Sequence, residues 1–261
     1  MEDVEEDLRQ TLKGNKNSKI YKMKLINKKE NQVTFVAEMD EGLANAIRRY
    51  LNYVDILAVD EVEIVKNDSA IYDETLAHRI GLVPLKMIKS VNKSGVEKFS
   101  LKVKKEGFVH SEELDGKLKV VFGDIPLTFL NKGQELELNA VTKFGKGIEH
   151  TKFAPGLMFY RNVFDLKIDK DCPSDVVSVC PKKILDASGG KVKVTDNVKC
   201  DMCESCVEFC KKKGKDSIEI NQTNELMITL ESFGQLGVED VFGESIAVLK
   251  SDLAEVSKKI K

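Results

Sequence analysis

The sequence predicts an α+β fold, and three observations support that class. Two strand-like runs followed by an amphipathic helix stand near the start of the chain, and residues 85–165 are rich in strand-like runs. The longest helical pattern of the sequence closes the chain. A length of 261 residues suffices for a sizeable core in one or two domains.

The first elements are two strands and a helix. The runs IYKMKLI and QVTFVAEM flank a polar NKKEN turn, and Asp40 is a plausible N-cap for a helix over residues 41–54. Arg48 and Arg49 point away from the apolar side of this helix. That side is formed by Leu43, Ala46, Ile47, Tyr50 and Val54. An ordinary core helix with two solvated arginines explains the pattern, and so does a helix whose arginines bind a partner.

The next elements lead through a β-rich middle section to the final helix. The run ILAVDEVEIV predicts a strand, and Asp73 is expected to cap a short helix that ends at Gly81. After the β-rich section, ELMITLESFG predicts one more strand. The final helix carries a narrow apolar stripe with spacings of 4, 3, 4, 3 and 4, typical of a helix that packs on another helix. The stripe consists of Phe242, Ile246, Leu249, Leu253, Val256 and Ile260.

Composition excludes several classes of protein. The 41 basic residues are offset by 43 acidic ones, which argues against a broad nucleic-acid-binding surface. No apolar stretch approaches the ~20 residues of a membrane helix, and the acidic N-terminus lacks the apolar region of a secretory signal. We therefore expect a mobile N-terminal tail at residues 1–18 and a cytoplasmic protein. In that compartment, six cysteines favour metal or redox chemistry over structural disulfides.

The cysteine spacing predicts one iron–sulfur cluster. Cys200, Cys203, Cys206 and Cys210 have the x2, x2, x3 spacing of bacterial ferredoxins, in which the fourth cysteine serves a second cluster. The remaining ligand of the first cluster is then expected to be Cys180, which precedes a proline. Counting back from Cys180 by the same spacings reaches only valine, proline and lysine. We therefore predict one [4Fe-4S] cluster, or [3Fe-4S] after loss of an iron, held by Cys180, Cys200, Cys203 and Cys206.

Alternatives to this assignment remain open. Cys172 and Cys210 are left over, and they either pair as a disulfide or remain free thiols. A four-cysteine zinc site is less favoured, because zinc sites usually join two separate pairs of ligands across a longer loop. A ferredoxin-like segment that no longer holds metal is a further alternative.

Four motifs resemble a known family. EMDEGLANAIRRYL, DETLAHRIGLVPL, GIEHTKFAPGLMFY and ITLESFGQL occur in this order, and from about Ile20 to Ile260 the chain resembles the D-type subunit family of archaeal DNA-directed RNA polymerases. Counterparts are the third-largest subunit of eukaryotic RNA polymerase II and the N-terminal domain of the bacterial alpha subunit. The resemblance implies a discontinuous dimerisation domain of residues 1–50 and 221–261, an inserted β-rich domain of residues 51–165, and a ferredoxin-like iron–sulfur domain of residues 166–220.

The resemblance also implies partners. Members form a heterodimer with the smaller subunit L, for which the matching interface residues are Leu43, Ile47, Tyr50, Phe242, Ile246, Leu249, Leu253 and Val256. This heterodimer recruits small subunits N and P and then the large catalytic subunits. Arg48, Arg49, His78 and Arg79 fall in segments expected to dock the large subunits, although a hydrogen-bonded loop position explains His78 equally well.

The resemblance further implies that the chain is a scaffold without a catalytic site. It lacks the carboxylate cluster that holds Mg²⁺ in a polymerase, and we expect neither sequence-specific DNA binding nor membrane association. The predicted cluster is expected to be structural, with redox sensing as the alternative. A single-cluster electron-transfer protein on a binding scaffold is the competing function, but no flavin or nicotinamide motif accompanies the cysteines.

Overall fold

The fold is taken from a computed structural model that describes residues 23–87 and 96–260. The predicted tail at residues 1–18 lies outside the described residues. Across the two described ranges, none of the helices combines the length and the hydropathy that a membrane crossing requires.

Strands and helices are mixed along the described chain, which confirms the α+β class. The strands are β1 Met23–Lys28, β2 Gln32–Glu38, β3 Asp55–Asn67, β4 Lys98–Val103, β5 Gly107–His110, β6 Asp115–Gly116, β7 Pro126–Leu130, β8 Leu136–Lys146, β9 Gly156–Ile168, β10 Leu185–Ser188, β11 Lys191–Val194 and β12 Ile218–Ser232. The α-helices are α1 Glu41–Tyr50, α2 Asp73–Gly81, α3 Ser205–Lys212 and α4 Val238–Ile260.

Helix α1 begins as the sequence predicts but ends earlier. The Asp40 carboxylate accepts a hydrogen bond from the Gly42 N–H at 2.7 Å, which places Asp40 at the N-terminus of the helix. The α-helix ends at Tyr50 and continues as a single 3₁₀ turn, after which Val54 is extended. The predicted end at residue 54 is therefore wrong, because β3 begins at Asp55 and requires an extended chain before it.

Helix α2 differs from the prediction at its start. Tyr72 occupies the N-cap position without a side-chain cap, and Asp73 is the first helical residue. The Asp73 carboxylate instead accepts a hydrogen bond from the Asn67 side-chain amide at 2.8 Å. The assignment of Asp73 as the cap is wrong, although an acidic residue in the first turn still complements the helix dipole.

The chain divides into two compact units. In the described part, the first unit comprises residues 23–27, 34–44 and 159–229, and the second comprises 28–33, 45–87, 96–158 and 230–260. A four-stranded sheet has the order β1-β2-β12-β9. Within the first unit, the Thr34 and Thr229 hydroxyls of β2 and β12 are hydrogen-bonded at 3.1 Å. The three-domain division expected from the sequence stays a prediction.

The cysteine segment, which we define as residues 166–220, has its own small core in the first unit. Strands β10 and β11 pair antiparallel, from Leu185 opposite Val194 to Ser188 opposite Lys191. The turn between them is made by Gly189 and Gly190, both with positive φ, as a two-residue hairpin of this type requires. Four of the ten buried residues of this core are cysteines. The ten are Leu166, Cys172, Val176, Ile184, Leu185, Val192, Cys200, Cys206, Cys210 and Ile218.

The second unit is built on an antiparallel sheet of order β3-β8-β4-β6, with β5 and β7 forming a separate antiparallel pair. Helix α2 contributes Leu76 and Ile80 to the core, and both are fully buried. Their spacing of four residues places them on one face of the helix. The helix is therefore held in the unit by burial of that apolar face.

Helix α4 is divided into a buried half and an exposed half. Phe242, Ile246 and Leu249 are at most 8% exposed. Further along the same stripe, Leu253, Val256 and Ile260 are 59%, 52% and 80% exposed. One continuous stripe thus serves the core of this chain at its start and faces solvent at its end.

The buried half of α4 leads to a stability prediction. Replacing Phe242, which is 1% exposed, with alanine should lower the free energy of unfolding by about 3–5 kcal/mol, because the substitution leaves a cavity in a packed core. Urea unfolding followed by circular dichroism measures this change. The matched exposed change, Ile260→Ala at the end of the same stripe, should alter stability by less than about 0.5 kcal/mol. Equal effects at the two positions would contradict the division of the helix.

Candidate functional site

Four of the six cysteines line one cavity in the first unit. Cys180, Cys200, Cys203 and Cys206 line it together with four apolar and three charged residues, which are Leu166, Ile184, Leu185, Ile220, Lys182, Asp201 and Glu204. Cys180 follows the 3₁₀ segment Ser174–Val179, and Cys200 follows the 3₁₀ turn Asn197–Lys199. Cys206 lies in the first turn of α3. These are the four residues that the spacing predicts as ligands.

The four thiols have unequal exposure. Cys200 and Cys206 are buried, Cys180 is half-buried and Cys203 is exposed. Burial raises the pKa of Cys206 to about 11, and the nearby backbone N–H groups oppose part of this rise. Burial also raises the pKa of Cys200, and the Met202 N–H opposes this by donating to the Cys200 sulfur. At both buried thiols, nearby backbone N–H groups therefore favour the thiolate against the effect of burial.

The loops that carry the cysteines have unusual backbone geometry. In the described ranges, the non-glycine residues with positive φ are Lys183, Met202 and Glu204, at 52°, 57° and 57°. Met202 and Glu204 flank Cys203, and Lys183 lies three residues after Cys180. A left-handed residue turns successive N–H groups toward one side of the chain, and such concave arrangements bind anions, including iron–sulfur clusters. Strained positions gathered around one set of thiols point to a functional requirement for this geometry.

Polar contacts connect the separate loops of the cysteine segment. The Lys182 ammonium lies 3.2 Å from the Asp201 carboxylate and so joins the Cys180 loop to the Cys200 loop. At the end of α3, the Lys213 ammonium pairs with Asp175 at 2.7 Å. All of these partners are substantially exposed, so each pair contributes little stability alone.

Cys172 and Cys210 lie next to each other and do not line the four-cysteine cavity. Both are buried, and both are free thiols in the structure. Burial raises the pKa of Cys172, and the adjacent Cys210 thiol acts in the same direction. The free thiols correspond to the second alternative given above, and the disulfide stays a prediction for oxidised protein.

The fit of the residues to a cluster depends on their shared cavity. In the described part of the chain, no three His, Cys, Asp or Glu side chains are arranged to hold a single metal ion. A cubane makes a different demand, because each of its thiolates binds a separate iron. The shared cavity and the left-handed loops are compatible with that demand, so the residues fit the predicted group.

The predicted interface residues fall into two sets. Ile47, Phe242, Ile246 and Leu249 are buried within the chain, and Leu43 and Tyr50 are half-buried. Leu253 and Val256 remain exposed. Burial, and then a hydrogen bond from its hydroxyl to Asp252 of α4, raises the pKa of Tyr50.

The predicted docking residues are mainly on the surface. Arg48 and Arg49 are exposed, and the Arg48 guanidinium donates to the Asn45 side chain at 2.9 Å. His78 is exposed on α2, whereas Arg79 is half-buried and donates to the Pro126 carbonyl at 2.5 Å. Arg79 therefore has a bond within its own unit.

Arg161 is a residue near the site that the sequence patterns do not identify. It lies on β9, and its guanidinium donates to the Cys200 carbonyl at 2.7 Å and to the Val198 carbonyl. Nothing in the local sequence distinguishes this arginine, because its contacts are made 37 and 39 residues away in the chain. The left-handed residues also escape prediction, since none of them is glycine or asparagine.

Comparison with curated proteins identifies relatives over nearly the whole chain. The sequence is 30% identical over 260 residues to DNA-directed RNA polymerase subunit Rpo3 of Archaeoglobus fulgidus, covering 92% of this chain and 97% of the relative. It is 32% identical over 243 residues to the Rpo3 protein of Pyrococcus horikoshii, covering 87% and 93%. A 26% identity over 290 residues relates it to the subunit rpac1 of DNA-directed RNA polymerases I and III in Dictyostelium discoideum, covering 91% and 81%. No family model matches the chain.

Proposed function

The chain belongs to the family of DNA-directed RNA polymerase subunit Rpo3, and from that membership we propose that it is a non-catalytic scaffold subunit of an archaeal DNA-directed RNA polymerase. The observation that carries the proposal is the identity of about 30% over 92% of this chain and 97% of the archaeal relative. The four motifs predict a resemblance to RNA polymerase subunits, and the relatives confirm it. The relatives carry the name Rpo3, and the designation as a D-type subunit stays a prediction.

Heterodimer formation with subunit L is the first part of the proposed role. The exposed end of α4 supports it, because Leu253, Val256 and Ile260 form an apolar surface on a terminal helix. Apolar side chains aligned on a helix are suited to burial against a partner helix. The proposed interface therefore consists of the exposed end of the stripe, and the buried residues of the same stripe support it from inside the chain.

Assembly of the larger enzyme is the second part. We assign Arg48, Arg49 and His78 to contacts with the large catalytic subunits, supported by their exposure. Arg79 has a supporting role in this proposal, because its hydrogen bond to Pro126 connects α2 to the start of β7. Small subunits N and P are further proposed partners, carried over from the family resemblance alone.

One iron–sulfur cluster held by Cys180, Cys200, Cys203 and Cys206 is the third part. Such a cluster supplies covalent iron–thiolate cross-links between chain segments, and it also supplies a one-electron redox centre. Cys180 would anchor the loop before β10, while the other three cysteines would anchor the loop that leads into α3. Cys206 lies in the first turn of α3, where the helix dipole opposes part of the effect of burial on its thiol.

A structural task is the main proposal for the cluster. Cys200 and Cys206 belong to the core of the cysteine segment, a small region in which metal ligation can supply stability that apolar burial does not. The observation that favours redox sensing is the exposure of Cys203, which gives oxidants access to one ligand. The competing electron-transfer function would leave most of the similarity to polymerase subunits without explanation.

Co-purification from the native host tests the polymerase proposal. A tagged chain should recover a large multi-subunit assembly that synthesises RNA on a DNA template, whereas the isolated chain should show no synthesis. Recovery of a reductase instead of polymerase subunits would support electron transfer. RNA synthesis by the isolated chain would contradict the assignment as a non-catalytic scaffold.

A further inference from the structure

Arg161 has an unusual set of contacts beside the proposed cluster site. One guanidinium nitrogen donates to the Cys200 carbonyl at 2.7 Å and the other donates to the Val198 carbonyl. The second nitrogen also lies 3.6 Å from the Met227 sulfur on β12. The side chain therefore joins two strands of the sheet to the residues that lead into the first thiol of the loop.

The charge of Arg161 has no acidic partner among the described residues. Its hydrogen-bond acceptors are three carbonyl oxygens and a thioether sulfur, all of them neutral. Removing a cation from water is costly, and charged side chains become harder to accommodate without an opposite charge as they are buried. Arg161 is half-buried. By contrast, Lys167 on the same strand lies 3.8 Å from the carboxylate of Glu219, and both side chains are 65% exposed.

We propose that Arg161 is a positioning residue for the iron–sulfur site, with its positive charge compensated by the negative charge of the cluster. The inference rests on the cluster assigned above. Cluster iron bound by four thiolates carries a net negative charge that grows by one on reduction. A nearby fixed cation stabilises the reduced form more than the oxidised form, and local charge and hydrogen bonds set the potentials of such centres.

Arg161 also acts through geometry. Its planar fork spans the Val198 and Cys200 carbonyls at once, and a lysine ammonium cannot reproduce that pair of directed bonds. Holding these carbonyls fixes the main chain on both sides of the Cys200 side chain, whose thiol is buried. The two contributions are separable, because lysine keeps the charge and glutamine keeps hydrogen bonding without the charge.

Three variants of the full-length chain separate charge from geometry. Arg161→Lys, Arg161→Gln and the control Lys167→Gln are purified without oxygen, and circular dichroism verifies folding. Iron and sulfide per chain, the midpoint potential and the rate of iron transfer to a chelator are then measured. Lys167→Gln matches the charge change of Arg161→Gln, on the same strand but at an exposed site where solvent screens charge.

We expect Arg161→Gln to have a lower midpoint potential than the wild type, with Lys167→Gln unchanged. Arg161→Lys should keep the wild-type potential but lose iron faster, because the fork is absent. An equal potential and an equal rate of iron loss in all four proteins would overturn the role of Arg161 while leaving the cluster in place. A wild-type chain that binds no iron when purified without oxygen would overturn the cluster and this inference together.

Discussion

The substitution Cys203→Ser is expected to abolish the iron–sulfur cluster. Cys203 is the exposed member of the four thiols around the cavity, so the substitution removes a ligand without opening the core. Serine is a poor ligand for cluster iron, which prefers thiolate. Iron and sulfide should fall from stoichiometric amounts to near background, together with the broad brown absorption of the cluster. A Cys203→Ser variant that retains its full cluster would contradict the assignment of Cys203 as a ligand. A wild-type chain that holds zinc instead of iron would contradict the iron–sulfur cluster.

Cys210→Ala provides the matched control for cluster content. Cys210 lies beside Cys172 and does not line the four-cysteine cavity, so this variant should retain iron and sulfide. Loss of iron in Cys210→Ala with the fold intact would place Cys210 among the ligands.

The pairing of Cys172 with Cys210 can be tested by counting reactive thiols in denatured, unreduced protein. Two unreactive thiols would support the disulfide, whereas six reactive thiols would contradict it.

The double variant Cys203→Ser/Cys206→Ser extends this result to assembly. If the cluster is structural, the cysteine segment should unfold at lower temperature, since Cys206 is also part of its core. The heterodimer with the small subunit should still form, while assembly with the large subunits should fail. An assembly reaction that proceeds normally with this variant would contradict both the structural and the sensing role.

The substitution Leu253→Asp is expected to break the proposed heterodimer without unfolding the chain. Leu253 is 59% exposed and therefore contributes little to the internal core, but a charge in a partner interface must be desolvated without compensation. We expect affinity for the small subunit to fall by about 100-fold, equivalent to about 2.7 kcal/mol, which is typical of a disrupted hot spot. Titration calorimetry with the purified partner measures the affinity, and circular dichroism verifies the fold.

Ser251→Asp is the matched control for the interface. Ser251 is exposed on α4 and, at about 100° per residue, lies on the opposite side of the helix from the stripe. The Ser251→Asp variant carries the same added charge as Leu253→Asp, and its affinity for the small subunit should remain within about twofold of the wild type. Equal weakening by both variants would indicate an effect on the helix as a whole. Unchanged affinity in Leu253→Asp would exclude the end of the stripe from the interface.

The four cysteines that we propose as ligands illustrate how far sequence reasoning extends in this chain. Three of them lie within seven residues, so their spacing alone predicts a common site, and the structure gathers all four around one cavity. Cys180 is 20 residues away, and its assignment depends on counting through a degenerate copy of the motif. Arg161 lies a further 19 residues back and has no pattern that connects it to the cysteines. Its proposed role depends on strand β9, which places the Arg161 guanidinium against the Val198 and Cys200 carbonyls.

Periodicity and spacing are properties of neighbouring residues, so the sequence alone determines the α+β class, the apolar stripe of α4 and the thiol-rich loop. Tertiary structure decides which parts of these patterns are buried. Phe242 and Leu253 belong to the same stripe, yet the first is 1% exposed and the second 59%. Burial and unpaired charge, as at Arg161, depend on contacts between residues far apart in the chain. For this reason, only the folded structure separates the buried core from the exposed end of the stripe, where we propose the interface.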